Sequence, residues 1–251
     1  MKKSLLAAAV SMLGLALVGS PMVEAAELKV LAGGSMTGPL NELGPQFERA
    51  SGHKLVIHFD STPNLIKQAT SAPFDLGVVP VDVFKDAAAK ARFASGPTID
   101  IARVGYGVAV RAGAPRPDVS TADALKKTLL DAHSIAFLPA SAAGAYVSSV
   151  FERLGITEAM KAKTKPQTTT GEIAKAVASG DAELGVFLIN VLKAPGVELA
   201  GPFPAGLQQE LVFTSAVAAD TKEAEAAKAF IGFLQTPAAV AVIKAKGMEP
   251  G

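Results

Sequence analysis

Four stretches of this chain place Gly, Ser or Thr where an apolar run gives way to a helical pattern: Gly33-Gly34-Ser35, Ser61-Thr62, Ser141-Ala142-Ala143-Gly144 and Thr168-Thr169-Thr170-Gly171. A helix start presents backbone N–H groups without intrahelical partners and the positive end of the helix dipole. Several such starts facing one cleft hold an anion without any charged side chain. Ser and Thr hydroxyls add donors at the same points, although each of them is also a standard helix N-cap.

Other chemistries find little support. The 251 residues include no Cys, which excludes disulfides, thiolate metal sites and cysteine nucleophiles. The three His residues, at 53, 58 and 133, belong to no His-Glu helix motif, so neither a catalytic zinc nor another cofactor is expected. No Gly-x-Ser-x-Gly elbow marks a serine hydrolase. Asp60, His58 and Tyr146 are the titratable groups available to a proton-transfer reaction. Each has a plainer role as well. Asp60 caps the helix at Pro63 or faces the cleft, His58 lies on the polar phase of its strand, and Tyr146 packs in the core or touches ligand.

The elements that position the turns follow from periodicity. Leu28 to Ala32 reads as a strand, Met36, Leu40, Leu43 and Phe47 recur at helical spacing up to Gly52, and Leu55, Ile57 and Phe59 alternate with polar neighbours in a second strand. Pro63 suits a helix start. A short helix over 65–71, a buried strand over 74–79 and an Ala-rich helix over 81–93 complete a β-α-β-α-β-α pattern, the signature of a mostly parallel sheet with helices on its faces. A strand at 105–111 and the two-proline stretch 113–117 break the pattern and read as a crossover. A second α/β block follows, with helices over 121–131, 143–154 and 170–179 and strands over 134–138 and 184–188. A strand near 197–200, a long strand over 211–218 and two Ala-rich helices over 221–234 and 237–246 close the chain. The expected fold is α/β, two lobes joined by two extended crossovers, with ligand held between them. Residues 26–104 form the first part of lobe 1, 105–200 the crossover and lobe 2, and 201–251 the return crossover and the C-terminal helices that complete lobe 1.

Lys2 and Lys3 precede a 14-residue apolar run from Leu5 to Val18, then Gly19, Ser20 and Pro21, which reads as a secretory signal peptide over 1–25, cleaved after Ala25. The run is shorter than the roughly 20 residues a spanning helix needs. Lipid attachment is not expected, because no Cys follows the run. The periplasm is the expected compartment. Lys plus Arg is 24 and Asp plus Glu is 23, so no bulk field recruits nucleic acid or an anionic membrane.

Three motifs carry a family resemblance: the opening strand with Ala32-Gly33-Gly34-Ser35, the block Phe59-Asp60-Ser61-Thr62, and the helix entry Ala143-Gly144-Ala145-Tyr146. On these, and over essentially the whole mature length, the chain resembles the periplasmic molybdate-binding protein family of solute receptors, with the type II periplasmic binding fold. The resemblance implies oxyanion-binding roles for Ser35 and Thr62, with Ser61 adjacent, and for the backbone N–H groups of Ala143 and Thr170, with Gly144 beside them. Leu188 replaces the family's binding Tyr, which counts against molybdate. The stretch from Ala109 to Ser120, with Ser141 to Tyr146, is similar to a branch containing the periplasmic enzyme aconitate isomerase, and also to other solute receptors. That likeness implies a carboxylated ligand, which favours cationic help beside the N–H groups. Arg103, His58 and Lys67 are the candidates.

Two functions are therefore expected from different classes. The first is a receptor, a monomer without a stable membrane anchor, that captures a small anion (an organic carboxylate or an oxyanion) for an inner-membrane ABC permease. The alternative is an isomerase of the aconitate isomerase type, interconverting cis- and trans-aconitate by allylic proton transfer with Asp60, His58 or Tyr146 as the proton-transfer group.

Overall fold

The computed structural model describes residues 25–251. The leader expected over 1–25 lies outside the described residues, apart from Ala25. The first lobe opens with β1 (Glu27–Gly33), α1 (Thr37–Ser51), β2 (Lys54–Asp60), α2 (Thr62–Ser71), β3 (Leu76–Pro80) and the single-turn α3 (Ala87–Lys90). β4 (Ile99–Arg111) runs from this lobe into the second. There follow α4 (Ala122–Asp131), β5 (Ile135–Phe137), α5 (Ala142–Arg153), α6 (Thr157–Lys163), β6 (Thr164–Pro166) and α7 (Thr170–Ser179). The second lobe ends with β7 (Leu184–Leu188), α8 (Ile189–Leu192) and β8 (Val197–Pro202). The chain returns through residues 203–209 to β9 (Glu210–Val217), α9 (Ala224–Leu234), α10 (Pro237–Ala245) and β10 (Glu249–Pro250).

The strands follow the order β2-β1-β3-β9-β4-β7-β5-β6, with β8 and β10 also paired to β4. β1 lies parallel to β2 and β3, and β5 parallel to β6 and β7, as expected where helices cross over between neighbouring strands. β4 divides its pairing. Ile99 to Gly105 pair antiparallel with β9 in the first lobe, whereas Tyr106 to Arg111 pair with β7 and β8 in the second. The molecule is therefore two α/β lobes linked by two extended crossovers, β4 and the 203–209 return, the type II periplasmic binding fold.

Helix α1 illustrates how the sequence makes its elements. Leu40, Leu43 and Phe47 form one buried stripe, and Gly52, at φ 78°, ends the helix in the left-handed conformation that glycine adopts without a Cβ penalty. The C-terminal helices return to this stripe: Phe230 of α9 meets Phe47 at a ring-centroid distance of 4.9 Å.

Besides α6, β6 and α8, which were not expected, and the earlier start of α2, two expected elements take a different form. The helix expected over 81–93 is a 3₁₀ turn (Val81–Lys85) followed by α3, because Asp86 turns extended and its carboxylate caps α3 by accepting the Ala89 N–H at 2.8 Å. β4 begins at Ile99 rather than near Gly105, its extra length pairing with β9.

Candidate functional site

The four turns converge. β1 and β2 end side by side, with Gly33 paired to Asp60 in register, so the start of the Ser35 turn and the Ser61-Thr62 turn lie together at the carboxyl edge of the first lobe's sheet. α5 and α7 open from the facing edge of the second lobe. Ser35, Ser61, Thr62, Ala143 and Thr170 all line one small cavity between the lobes, of about 20 Å³. Its remaining wall is largely apolar and includes Phe187, Leu188 and Phe213. Gly33 makes room for Phe213, since a Cβ there would stand 2.6 Å from the ring.

Several donors at the cavity lack a protein partner among the described residues. Ser141 caps α5, its hydroxyl donating to the Leu138 carbonyl at 2.8 Å and accepting the Gly144 N–H at 2.9 Å. That leaves the Ala143 N–H, and likewise the Thr170 N–H at the start of α7, without a protein acceptor among the described residues. Ser61 precedes α2 but makes no side-chain cap, so its hydroxyl is free for the cleft. Ser35 and Thr62 are both buried, 7% exposed each, and a donor withdrawn from water this far favours a bound acceptor. No Lys, Arg or His lines this cavity among the described residues.

Three hydrogen bonds tie the lobes together around it. The Ala142 N–H donates to Thr62 Oγ1 at 3.2 Å, Thr170 Oγ1 donates to the Gly34 carbonyl at 3.2 Å, and Asn190 Nδ2 donates to the Ser35 carbonyl at 2.8 Å. The lobes stand closed. Asn190 follows β7 as the other site residues follow their strands, and it was not foreseen. The signal that could have found it is the same one, a polar residue just past a strand's carboxyl end.

The structure does not bring every expected residue to the cavity. Arg103 pairs with Val212 in register, on the opposite face of the sheet from Phe213, and its guanidinium faces Glu210 at 3.9 Å; it lies outside the cleft. The Gly144 N–H is taken by the Ser141 cap, so Gly144 serves packing instead: a Cβ would lie 1.8 Å from the Leu138 carbonyl oxygen. Tyr146 faces the return crossover, where its hydroxyl donates to the Leu207 carbonyl at 2.8 Å and its ring packs 4.7 Å from that of Tyr106. Lys67 is exposed on α2, away from the cavity.

Of the titratable candidates, only Asp60 borders the cavity. Its Oδ1 accepts from the Ser61 N–H at 2.7 Å and from Asn64 Nδ2 at 2.8 Å, and its Oδ2 lies 3.2 Å from Gln68 Nε2 and 3.3 Å from His58 Nε2. Burial opposes ionisation of Asp60, but the hydrogen bonds from Asn64, Ser61 and His58 outweigh it and hold the carboxyl below its ordinary range. His58 itself is half exposed, and its ring is spanned by Gln68 and Asp60 outside the cavity.

The chain is similar to known proteins over nearly its whole length. A family model described as bacterial extracellular solute-binding protein matches residues 28–249. An aconitate isomerase from a Pseudomonas species is 32% identical, over 95% of this chain and 95% of its own. A molybdate-binding protein from Azotobacter vinelandii is 28% identical, over 89% of this chain and 90% of its own. The solved periplasmic molybdate-binding protein of Azotobacter vinelandii superposes with a TM-score of 0.74 at 22% identity, covering 89% of this chain and 99% of that one.

Proposed function

Because the chain belongs to the bacterial extracellular solute-binding protein family, we propose that it captures a small anion between its lobes, in the periplasm, for an ABC-type permease. In this reading residues 26–104 and 201–251 make up one lobe and 105–200 the other, and the protein works as a monomer without a membrane anchor. The observation that carries it is the convergence on one cavity of Ser35, Ser61 and Thr62 from one side with the Ala143 and Thr170 N–H groups from the other. Neutral donors and helix starts suit an organic carboxylate or an oxyanion, and burial strengthens each hydrogen bond they make. Leu188 offers no hydroxyl to the cavity, which favours a carboxylate over molybdate.

Calorimetric titration of the mature protein with molybdate, sulfate, acetate, succinate and tricarballylate tests the reading. Binding of at least one anion is the expected result, and no binding by any of them refutes it.

A second reading is favoured by the relative named aconitate isomerase and by Asp60 at the cavity edge. Shifting a double bond between cis- and trans-aconitate requires a base to take a proton from one carbon and return it at another. Asp60 is the group placed to do so. Its lowered pKa and fully engaged oxygens make it a weak base, and for that reason receptor function is preferred. Chromatography of cis- and trans-aconitate incubated with the protein decides: interconversion that disappears in Asp60→Asn establishes the enzyme, and its absence in the native protein leaves the receptor.

A further inference from the structure

Two larger grooves adjoin the small cavity, both sharing the hydrogen-bonded pair Gly34 and Thr170 with it. One, of about 340 Å³, is bordered by Asp60, Phe59 and Thr168. The other, of about 290 Å³, shares Gly34, Ser35 and Thr170 with the small cavity and is bordered by Asn190, Lys193 and Lys246. The two grooves therefore differ in the sign of their charge. On the first side the ionised Asp60, which also borders the small cavity, repels an anionic group; on the second, the Lys193 ammonium attracts one.

Lys193 has the features of a ligand contact. It follows α8 in the second lobe and reaches across to the first, where its stem lies over the turn after α10: a Cβ on Gly247 would stand 2.8 Å from Lys193 Cδ and 3.2 Å from its Nζ. Gly247, at φ 81°, keeps that passage open. Among the described residues no carboxylate lies within 4.0 Å of Lys193 Nζ, whereas Lys246 Nζ is already paired with Glu42 at 2.7 Å.

We propose that the Lys193 groove is a second anion subsite, and that the natural ligand is a polycarboxylate: one carboxylate on the Ser35, Thr62, Ala143 and Thr170 donors, another on the Lys193 ammonium. This rests on the anion-capture reading above and names its ligand class. A cavity of about 20 Å³ has room for little more than a water-sized group, so a ligand with several carboxylates must extend into a groove. The charge pattern selects the one bordered by Lys193. Because Lys193 belongs to one lobe and leans on the other, a ligand carboxylate there also favours the closed arrangement.

The test titrates the mature native protein, Lys193→Gln and Lys193→Arg with acetate, molybdate, succinate and tricarballylate. In the native protein succinate or tricarballylate binds. Lys193→Gln weakens that binding about tenfold or more and leaves any acetate or molybdate binding unchanged, and Lys193→Arg restores most of the loss. Polycarboxylate binding that survives Lys193→Gln overturns the subsite. Binding of acetate or molybdate alone by the native protein also overturns it while leaving anion capture intact. Binding of none of the four ends both.

Discussion

Ser35 and Thr62 are alike in burial but not in what they already hold. Thr62 Oγ1 accepts the Ala142 N–H across the cleft, while Ser35 has its carbonyl tied to Asn190. Ser35→Ala and Thr62→Ala are each expected to weaken anion binding by ~0.5–3 kcal/mol, the range for one hydrogen bond to a neutral or charged partner, read by calorimetry. Thr62→Ala also frees the Ala142 N–H and so loosens the closed lobes. Asp60 adds a pH dependence with a definite sign. Its folded-state pKa lies below its unfolded value, so its stabilising contribution is present above the unfolded pKa and is lost as pH falls through the lowered one. Asp60→Asn is expected to flatten the acid limb of a thermal-melting profile; an unchanged acid limb would show that its hydrogen bonds do not stabilise the fold. The sequence placed Ser35, Ser61 and Thr62 at helix starts through their types and neighbours. It did not reveal that Arg103 faces Glu210, because the outward face of β4 is set by pairing with β9, more than a hundred residues away.

At the scale of elements, the site depends on helix α5 starting tight against the strand before it. The Ser141 cap and the absence of a side chain at Gly144 let the first turn pack on Leu138, with Ala143 at the cavity wall. Gly144→Ala is therefore expected to destabilise the protein by ~1–3 kcal/mol, the usual cost of overpacking, and to reduce anion affinity with it. Differential scanning calorimetry and titration check the two effects together, and a variant with native melting temperature and native affinity contradicts the account. Long periodic elements such as α1 were legible from spacing. Short ones were not: α6, β6 and α8 have three to seven residues and show too few repeats for a period to appear.

At the scale of the molecule, the two crossovers are held to each other at one point. The Gln208 side chain accepts the Tyr106 N–H at 2.8 Å and donates to the Tyr106 carbonyl at 2.9 Å, while the Phe203 N–H donates to that same carbonyl at 2.9 Å. Tyr106 is where β4 passes from one lobe's pairing to the other's, and its ring is packed between Tyr146 and Phe203. Burial pushes its phenol pKa up, so the ring enters no charge at the hinge. Gln208→Ala leaves the Tyr106 N–H without its acceptor and is expected to cost ~1–3 kcal/mol. It should also make residues 203–209 easier to cleave by protease. Melting temperature and limited proteolysis measure this, and native behaviour in both would mean that the crossovers are held by ring packing alone.

The sequence by itself determined the local grammar: strands ending in Gly, Ser and Thr turns, helices opening on free N–H groups, and the absence of Cys and of a zinc motif. It also carried the family likeness that fixed the fold class. These are legible because caps and periodicities depend on residues a few positions apart. Only the tertiary structure decided which donors remain unpaired, which charges face the cleft, and that Asn190 and Lys193 stand at its mouth. Those outcomes depend on pairs such as Gly34 and Thr170, 136 residues apart, and Ser35 and Asn190, 155 apart. Their contact is set by sheet register and lobe closure, which no local pattern encodes.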